Sequence, residues 1–382
     1  MAGYAVARGL TDAVIHGDLI FAAATHADEP DVRRLLRENP TGGRYEITLE
    51  REPNAYATEF GLARSHVFIV ARDQRTGHAI GLCERVVRDC YVDGVVRQLP
   101  YIGALRVAAS HRHRITVLRG GFEALSVIAE RPGELPFAIT AIASDNNAAR
   151  RLLTASIAGL PNYSPVEEFS TFALRPVHRR TAKNIVPARD ADLGEVATAF
   201  LQPTNARFQF SQVWTEASLR GLRKFGFLPE HMLLARRQGR ICGCISVWDQ
   251  RAVRQAVVQR YPTGVELLRP LINIAAPFTG LPQFPALGMP INQAMLSHLA
   301  IDDDDPDVFL ALVSAALDQA KRRGFDAAMI GFATSRNLRK VLLRHHRTIE
   351  YRTTLYLAHW QAAAAHVASL QKTIPHPEIA LL

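Results

Sequence analysis

Residues 104–121 read ALRVAASHRHRITVLRGG, and the fold turns on how this run divides. Its first four residues close an apolar segment, VVRQLPYIGALRV, which ends at Val107 and has the composition of a strand. From about Thr116 to Ala129 the apolar residues recur at helical spacing. Between the two lies a short basic loop, His111-Arg112-His113-Arg114. The run therefore reads as a strand, a cationic turn and a crossover helix. A helix N-terminus offers free N–H donors and the positive end of the helix dipole, so this turn suits a negatively charged group.

Working outward, residues 20–24 read as a short strand and Asp28 to Glu38 as a helix with Pro30 in its first turn. Arg44 to Glu50 alternates as a strand does, as do 66–72 and 79–91, and Asp93-Gly94 marks a tight hairpin turn. Downstream, PFAITAIA is a strand and NNAARRLLTA a helix. GLPNYSPVEE is a Pro- and Gly-bearing segment, FSTFAL a closing strand, and RPVHRRTAK a basic linker or connecting strand.

The second half starts at Ile185 to Pro187, and Asp190 to Phe200 reads as a helix with acidic residues near its start. Strands follow at 232–236 and 241–248, and the Pro/Gly-rich stretch 270–290 reads as irregular. Met295 to Ile301 is a strand, Asp302 to Arg323 an amphipathic helix, AAMIGFA a strand, NLRKVLLRHH a helix and RTTLYLAHW a last strand. An Ala-rich tail from about Gln361 suits a terminal helix. DAAMIGFATSRNLRKVLL repeats the layout of FAITAIASDNNAARRLL. This internal repeat argues for two copies of one α/β unit, at 1–178 and 179–382, each with helices packed on a mixed sheet.

Composition limits the functions open to such a chain. Of its 382 residues 48% are hydrophobic and 21% charged, enough to build a core. The net charge of +9 favours anionic partners without choosing among them. The basic clusters at 111–114, 179–180 and 344–347 are scattered and lack interleaved aromatics, which argues against nucleic acid. The N-terminal residues lack a signal-peptide core, and no apolar run reaches the ~18 residues of a membrane span. Cys83, Cys90, Cys242 and Cys244 do not have zinc spacing and read as buried, reduced thiols of a cytoplasmic protein. No Gly-x-Ser-x-Gly elbow or Walker loop is present.

The strand ending ALRV, the basic loop opening a helix, and ITAIASDNNAARRLL after the next strand resemble the GNAT (GCN5-related) N-acetyltransferase superfamily, in tandem. Arg51-Glu52-Pro53 also resembles a short motif of larger relatives. The resemblance implies two acyl-CoA N-acyltransferase (GNAT-like) domains, each a mixed, mostly antiparallel sheet flanked by helices. It implies acetyl-CoA as acyl donor, no metal, and a small-molecule or peptide amine as acceptor. Carried onto this sequence, the cofactor positions are Leu105, Arg106, Val107, Arg112, His113, Arg114, Ile115, Thr116 and Val117, with Asn146 and Arg150 nearby. Ile115 and Val117 stand where the family pattern has glycine, so their branched side chains are expected to crowd a pyrophosphate. Asn146 reads equally well as a helix cap.

The tyrosine that often serves that family as acid is replaced by Leu153 and, in the second half, by Arg344. Tyr163 is a substitute acid or else a loop anchor. Glu84, in an apolar strand where burial raises a carboxyl pKa, is the candidate base or else a plain strand residue. The second half carries Asp302 to Asp305 and Asp307 at the corresponding helix start. These suit the helix dipole, would repel a pyrophosphate, and do not have EF-hand spacing. Two alternatives stay open: a non-catalytic tandem-fold binding protein, and an aminoacyl transferase of the same fold. Acceptor identity and oligomeric state are not legible.

Overall fold

The computed structural model describes residues 13–41 and 45–382. A hairpin, β1 (Val14–His16) and β2 (Leu19–Ala23), precedes helix α1 (Glu29–Glu38). Strand β3 (Glu46–Glu50) leads to three long antiparallel strands, β4 (Ser65–Asp73), β5 (Ala79–Val92) and β6 (Val95–Val107). Helix α2 (Ile115–Ala124), β7 (Phe137–Ala143), α3 (Asn147–Leu153) and β8 (Asn162–Leu174) complete the first half. The second half starts with β9 (Ile185–Pro187), α4 (Gln202–Asn205), β10 (Ser211–Gln212) and α5 (Glu216–Gly221). It continues through β11 (Met232–Arg237), β12 (Arg240–Trp248), β13 (Gln255–Arg260), α6 (Thr263–Thr279) and β14 (Gln293–Ile301). Helix α7 (Pro306–Arg322), β15 (Ala327–Ala333), α8 (Asn337–His345), β16 (Ile349–His359) and α9 (Ala364–Ser369) end it.

Among the described residues the strands form one 14-stranded sheet and a small β3–β13 ribbon. The sheet runs β1-β2-β4-β5-β6-β7-β16-β8-β15-β14-β12-β11-β9, with β10 added to β5. Its order reveals an exchange. Strand β7 pairs not with β8, the next strand in sequence, but with β16 of the second half. Strand β15 pairs in turn with β8 of the first half, and β8 and β16 lie side by side at the centre. The repeated units thus swap closing strands.

The hairpin between β5 and β6 turns on Asp93 and Gly94, at φ 52° and 76°, as Asp-Gly predicts. Helix α2 buries Val117, Leu118 and Phe122 against Leu19, Phe21 and Ile69 of the sheet. It packs closely because Gly120 has no side chain: a Cβ there would stand 2.2 Å from the Phe21 ring. On the opposite face α1 contributes Val32, Leu35 and Leu36 to a core with Phe68 and Val70. In the second half α7 takes the place of α2, with Phe309, Leu312 and Val313 buried against β12, β14 and β15.

Three expectations are corrected. The 270–290 stretch is not wholly irregular: α6 runs to Thr279, with Pro270 and Pro277 inside it, before Gly280 closes it at φ 73°. Each proline forfeits one backbone hydrogen bond without preventing the helical φ. The closing strand of the first half begins at Asn162, so Tyr163 lies in a strand and not in a loop. Pro165 is accommodated at a register shift opposite β16, between Leu355 and Tyr356. Helix α7 begins only at Pro306, because Asp303 adopts φ 50° and breaks the turn before it. Among the described residues, no helix is long and apolar enough to cross a membrane.

Candidate active site

The same irregularity occurs once in each half. Along β5 and β6 the pairs Gly81–Val107 and Leu82–Arg106 are followed by Glu84–Gly103, so β6 carries an extra residue. Ala104 lies at this bulge with φ 51°. Along β12 and β14 the pairs Gly243–Ile301 and Cys244–Ala300 are followed by Ser246–Ser297, and His298 lies at φ 54°. A bulge bends its strand and re-aims the residues beyond it. Beside it, β6 and the parallel strand β7 pair only at Tyr101–Ile139 and then part.

Strand alternation past the bulge sends Leu105 and Val107 to the α2 face and Arg106 to the α1 face. Leu105 and Val107 help line a small, mainly apolar pocket with Phe21, Gly81, Val117 and Phe122. The basic turn follows. Its shape is fixed by Ala108 N–H donating to Ile80 O at 2.7 Å and by the turn bonds His111 N–H to Ala108 O and Arg114 N–H to His111 O. No side chain caps the first turn of α2. Ile115 and Thr116 hold its first two positions, whose N–H groups have no acceptor within the helix.

The charges of the turn are largely spoken for. Arg114 forks onto Asp18, with Nη2 to Oδ1 at 2.6 Å. That contact keeps the Asp18 carboxyl below its usual range and raises Arg114. Arg112 donates to Val107 O and to Asn39 Oδ1. His111 meets the Ser110 hydroxyl at 2.8 Å, and His113 is exposed. The expected crowding at Val117 is absent: its side chain is 3% exposed and turns into the core against Gly81. At the end of β7, Asn146 caps α3 by accepting from Ala149 N–H, and Arg150 donates to Ser144 O at 2.7 Å.

On the α1 face, Glu84 is 4% exposed. Burial would raise its pKa, but the Arg51 guanidinium and the His66 ring outweigh burial and hold it well below the carboxylate range. Arg51 grips both carboxylate oxygens, with Nη1 to Oε1 at 2.5 Å, and His66 Nε2 reaches Oε1 at 2.8 Å. The direction expected for a base is thereby reversed. Arg51 and Glu84 stand 33 positions apart, which hid the pair from sequence reading. Tyr163 is buried on the other face of the sheet, against Phe122 and Tyr356, and burial pushes its hydroxyl far up. It makes no approach to Glu84. Four further residues whose role the sequence did not signal, Arg88, Tyr101, Arg254 and Tyr351, share the electrostatic surroundings of Arg51 and Arg106.

The corresponding place in the second half is filled by the chain itself. His298 N–H at the bulge donates to Glu378 Oε2 at 2.9 Å. The aspartates at the α7 start are engaged as well: Asp304 holds Arg336, Asp305 caps the helix and pairs with Arg237, and Asp303 meets Arg207. Among the described residues no cluster could hold a metal ion.

Searches against family models and against curated proteins find no match. Solved structures do match. One is N-myristoyltransferase from Saccharomyces cerevisiae with bound myristoyl-CoA, at a TM-score of 0.58 and 12% identity, covering 90% of this chain and 83% of that one. Another is a GCN5-related N-acetyltransferase from Sphaerobacter thermophilus, at 0.52 and 15% identity, covering 90% and 96%. The likeness defines the fold: this chain has a tandem GNAT-like architecture, with a mixed and mostly antiparallel sheet flanked by helices.

Proposed function

We propose that the chain is an acyl-CoA-dependent N-acyltransferase that moves an acetyl group from acetyl-CoA to an amine, with the donor seated in the first half. The observation that carries this reading is the sequence of a bulged strand, a parted β6–β7 pair and an uncapped helix start over residues 101–117. Backbone of Leu105 to Val107 would line the thioester arm. Ile115 and Thr116 N–H groups would meet the pyrophosphate, where donors and dipole both favour negative charge. Arg112 and His113 border that seat, Arg106 flanks the arm, and Asn146 and Arg150 lie at the facing strand end. Arg114 acts through Asp18, by holding the turn. The modest apolar pocket beside Leu105 favours a short acyl chain.

The myristoyl-CoA bound to the N-myristoyltransferase neighbour is consistent with an acyl-CoA seat on this fold. The second half has the same bulge but places Glu378 and several aspartates there. It is assigned to shaping the acceptor cleft. The acceptor is a small-molecule or peptide amine, the functional division falls at 1–178 and 179–382, and the location is cytoplasmic.

Isothermal titration with acetyl-CoA tests the reading. Saturable binding is expected, weakened about tenfold or more in an Arg112→Ala/Arg114→Ala double variant through lost charge-assisted contacts and a loosened turn. Neither heat nor thermal stabilisation at millimolar acetyl-CoA would overturn it and favour a binding protein or an aminoacyl transferase. A donor series from acetyl to longer acyl groups reads out chain length.

A further inference from the structure

The face of the sheet that carries Glu84 also holds a buried arginine without a partner. Alternation along β5 places Glu84, Val86 and Arg88 on one face, and their partners on β6 are Gly103, Tyr101 and Leu99. Arg51 and Glu84 neutralise each other. Arg254 donates to the carbonyl oxygens of Ala380 and Leu382. Arg88 is different. It is 8% exposed, it makes no hydrogen bond or ion pair among the described residues, and its Nε is sealed from solvent without a partner. Burial lowers its pKa, and the Glu84 charge only partly restores it. Arg106 shares the condition in milder form: Nη1 reaches only the neighbouring Leu105 O, and Nε is buried without a partner.

A guanidinium stays charged at any ordinary pH, so a buried one without an acceptor is costly unless an anion completes it. Nothing about strand packing requires arginine here, since the position is flanked by Val86 and Leu99. We propose that Arg88, supported by Arg254, receives an anionic group of the amine acceptor, a carboxylate or phosphate carried several atoms from the nucleophilic nitrogen. The spacing follows from the strand. Glu84 lies beside the bulge, and the four residues of β5 from Glu84 to Arg88 span about 13 Å. The inference rests on the acyltransferase reading for its placement of the thioester beside the bulge. The anion seat itself stands on Arg88 alone.

The test compares matched acceptors with acetyl-CoA as donor: 6-aminohexanoate against hexylamine, and Gly-Glu-Glu amide against Gly-Gln-Gln amide. Thiol release is the readout. At least about a tenfold advantage in kcat/KM is expected for the anionic member of one pair, because an uncharged analogue leaves the arginine unpaired. Which pair shows it separates a small-molecule acceptor from a peptide. Arg88→Leu should abolish the preference and, without ligand, unfold at the same or a higher temperature. Arg88→Lys, which keeps the charge, should retain part of the preference and serves if the leucine variant does not fold. Equal rates within both pairs, or a preference that survives in Arg88→Leu, overturn the proposal. If acetyl-CoA does not bind, the functional reading has failed separately. The anion seat is then judged by whether 6-aminohexanoate or phosphate raises the melting temperature of the parent and not of Arg88→Leu; no such rise sinks it.

Discussion

Acidification should loosen the C-terminal segment, and His376 is the residue through which the effect can be isolated. Arg336, at 0% exposure, forks onto Asp304 with Nη2 to Oδ1 at 2.8 Å and Nε to Oδ2 at 3.1 Å. Its remaining arm lies 3.1 Å from His376 Nδ1 and 3.2 Å from Nε2, while Nε2 also stands 3.1 Å from Leu299 O. A carbonyl oxygen can only accept, so Nε2 carries the proton and donates to Leu299 O, which leaves Nδ1 to accept from Arg336. The ring is therefore neutral, and burial together with Arg336 holds its pKa down at about 3, from an ordinary 6.5. A base whose pKa is depressed in the folded state contributes stability that is complete above the unfolded value and is lost as pH falls below it. At pH 5.5 the unfolded chain takes up a proton that the native chain refuses, which removes about 1.4 kcal/mol relative to pH 7.5.

Substitution by glutamine offers one donor and one acceptor in similar positions without titrating. Urea unfolding of the parent and His376→Gln at pH 7.5, 6.5 and 5.5 supplies the measurement. The difference between the two cancels the other groups that titrate in this window, among them His298, His231 and Glu378. The parent should lose about 1.4 kcal/mol more than the variant across that range. Equal losses would mean that His376 protonates without penalty, and the argument from the Arg336 contact would fall.

Glu378 has the opposite sign. Burial raises its carboxyl from 4.5 to about 7, against the pull of two backbone N–H donors. Its stabilising share is complete below pH 4.5 and is lost as pH rises through 7, so Glu378→Gln should gain up to about 3 kcal/mol on the parent between pH 4.5 and pH 8.5, read from urea midpoints. Replacing Arg51 by methionine should cost about 3–5 kcal/mol, because the buried Glu84 carboxylate keeps only His66. A cost under 1 kcal/mol, on the order of an exposed pair, would show that solvent reaches the site.

Elements whose signals are local were legible in the sequence. The Asp93-Gly94 turn, the crossover from Val107 into α2 and the Asn146 cap each depend on neighbours within a few residues. Helix α6 was missed altogether, because Pro270 and Pro277 weigh against a helix in any local reading. The bulge at Ala104 gave no sign of itself, since its positive φ is borne by alanine and not glycine. The exchange of closing strands leaves each unit with its expected order of elements and changes only which strands touch. No periodicity encodes that. Glu84 shows the same limit in the candidate site. Its burial was readable, but the sign of its pKa shift depends on Arg51 and His66, which β-pairing brings from far along the chain.

The two bulges allow a comparison within one molecule. Each half bends the same strand, a few residues before it pairs with a glycine, Gly81 or Gly243, and each parts from its parallel neighbour near the bend. The backbone geometry is thus a property of the fold and does not by itself distinguish a seat from a support. Side chains make the distinction. In the second half a carboxylate occupies the bulge N–H, aspartates crowd the helix start, and a buried arginine binds them to the terminal segment. In the first half the acids near the helix start are Asp18 and Asp73, both lowered in pKa by their partners, and the opposite face carries Arg88 and Arg106 with buried, unpartnered Nε atoms. The same segment that closes the second site sends Ala380 and Leu382 to hold Arg254 at the first. The surroundings of the two bulges are therefore linked through residues 376–382. A change that releases the His376–Arg336 contact should disturb Arg254, and with it the surroundings of Arg88, without touching either strand.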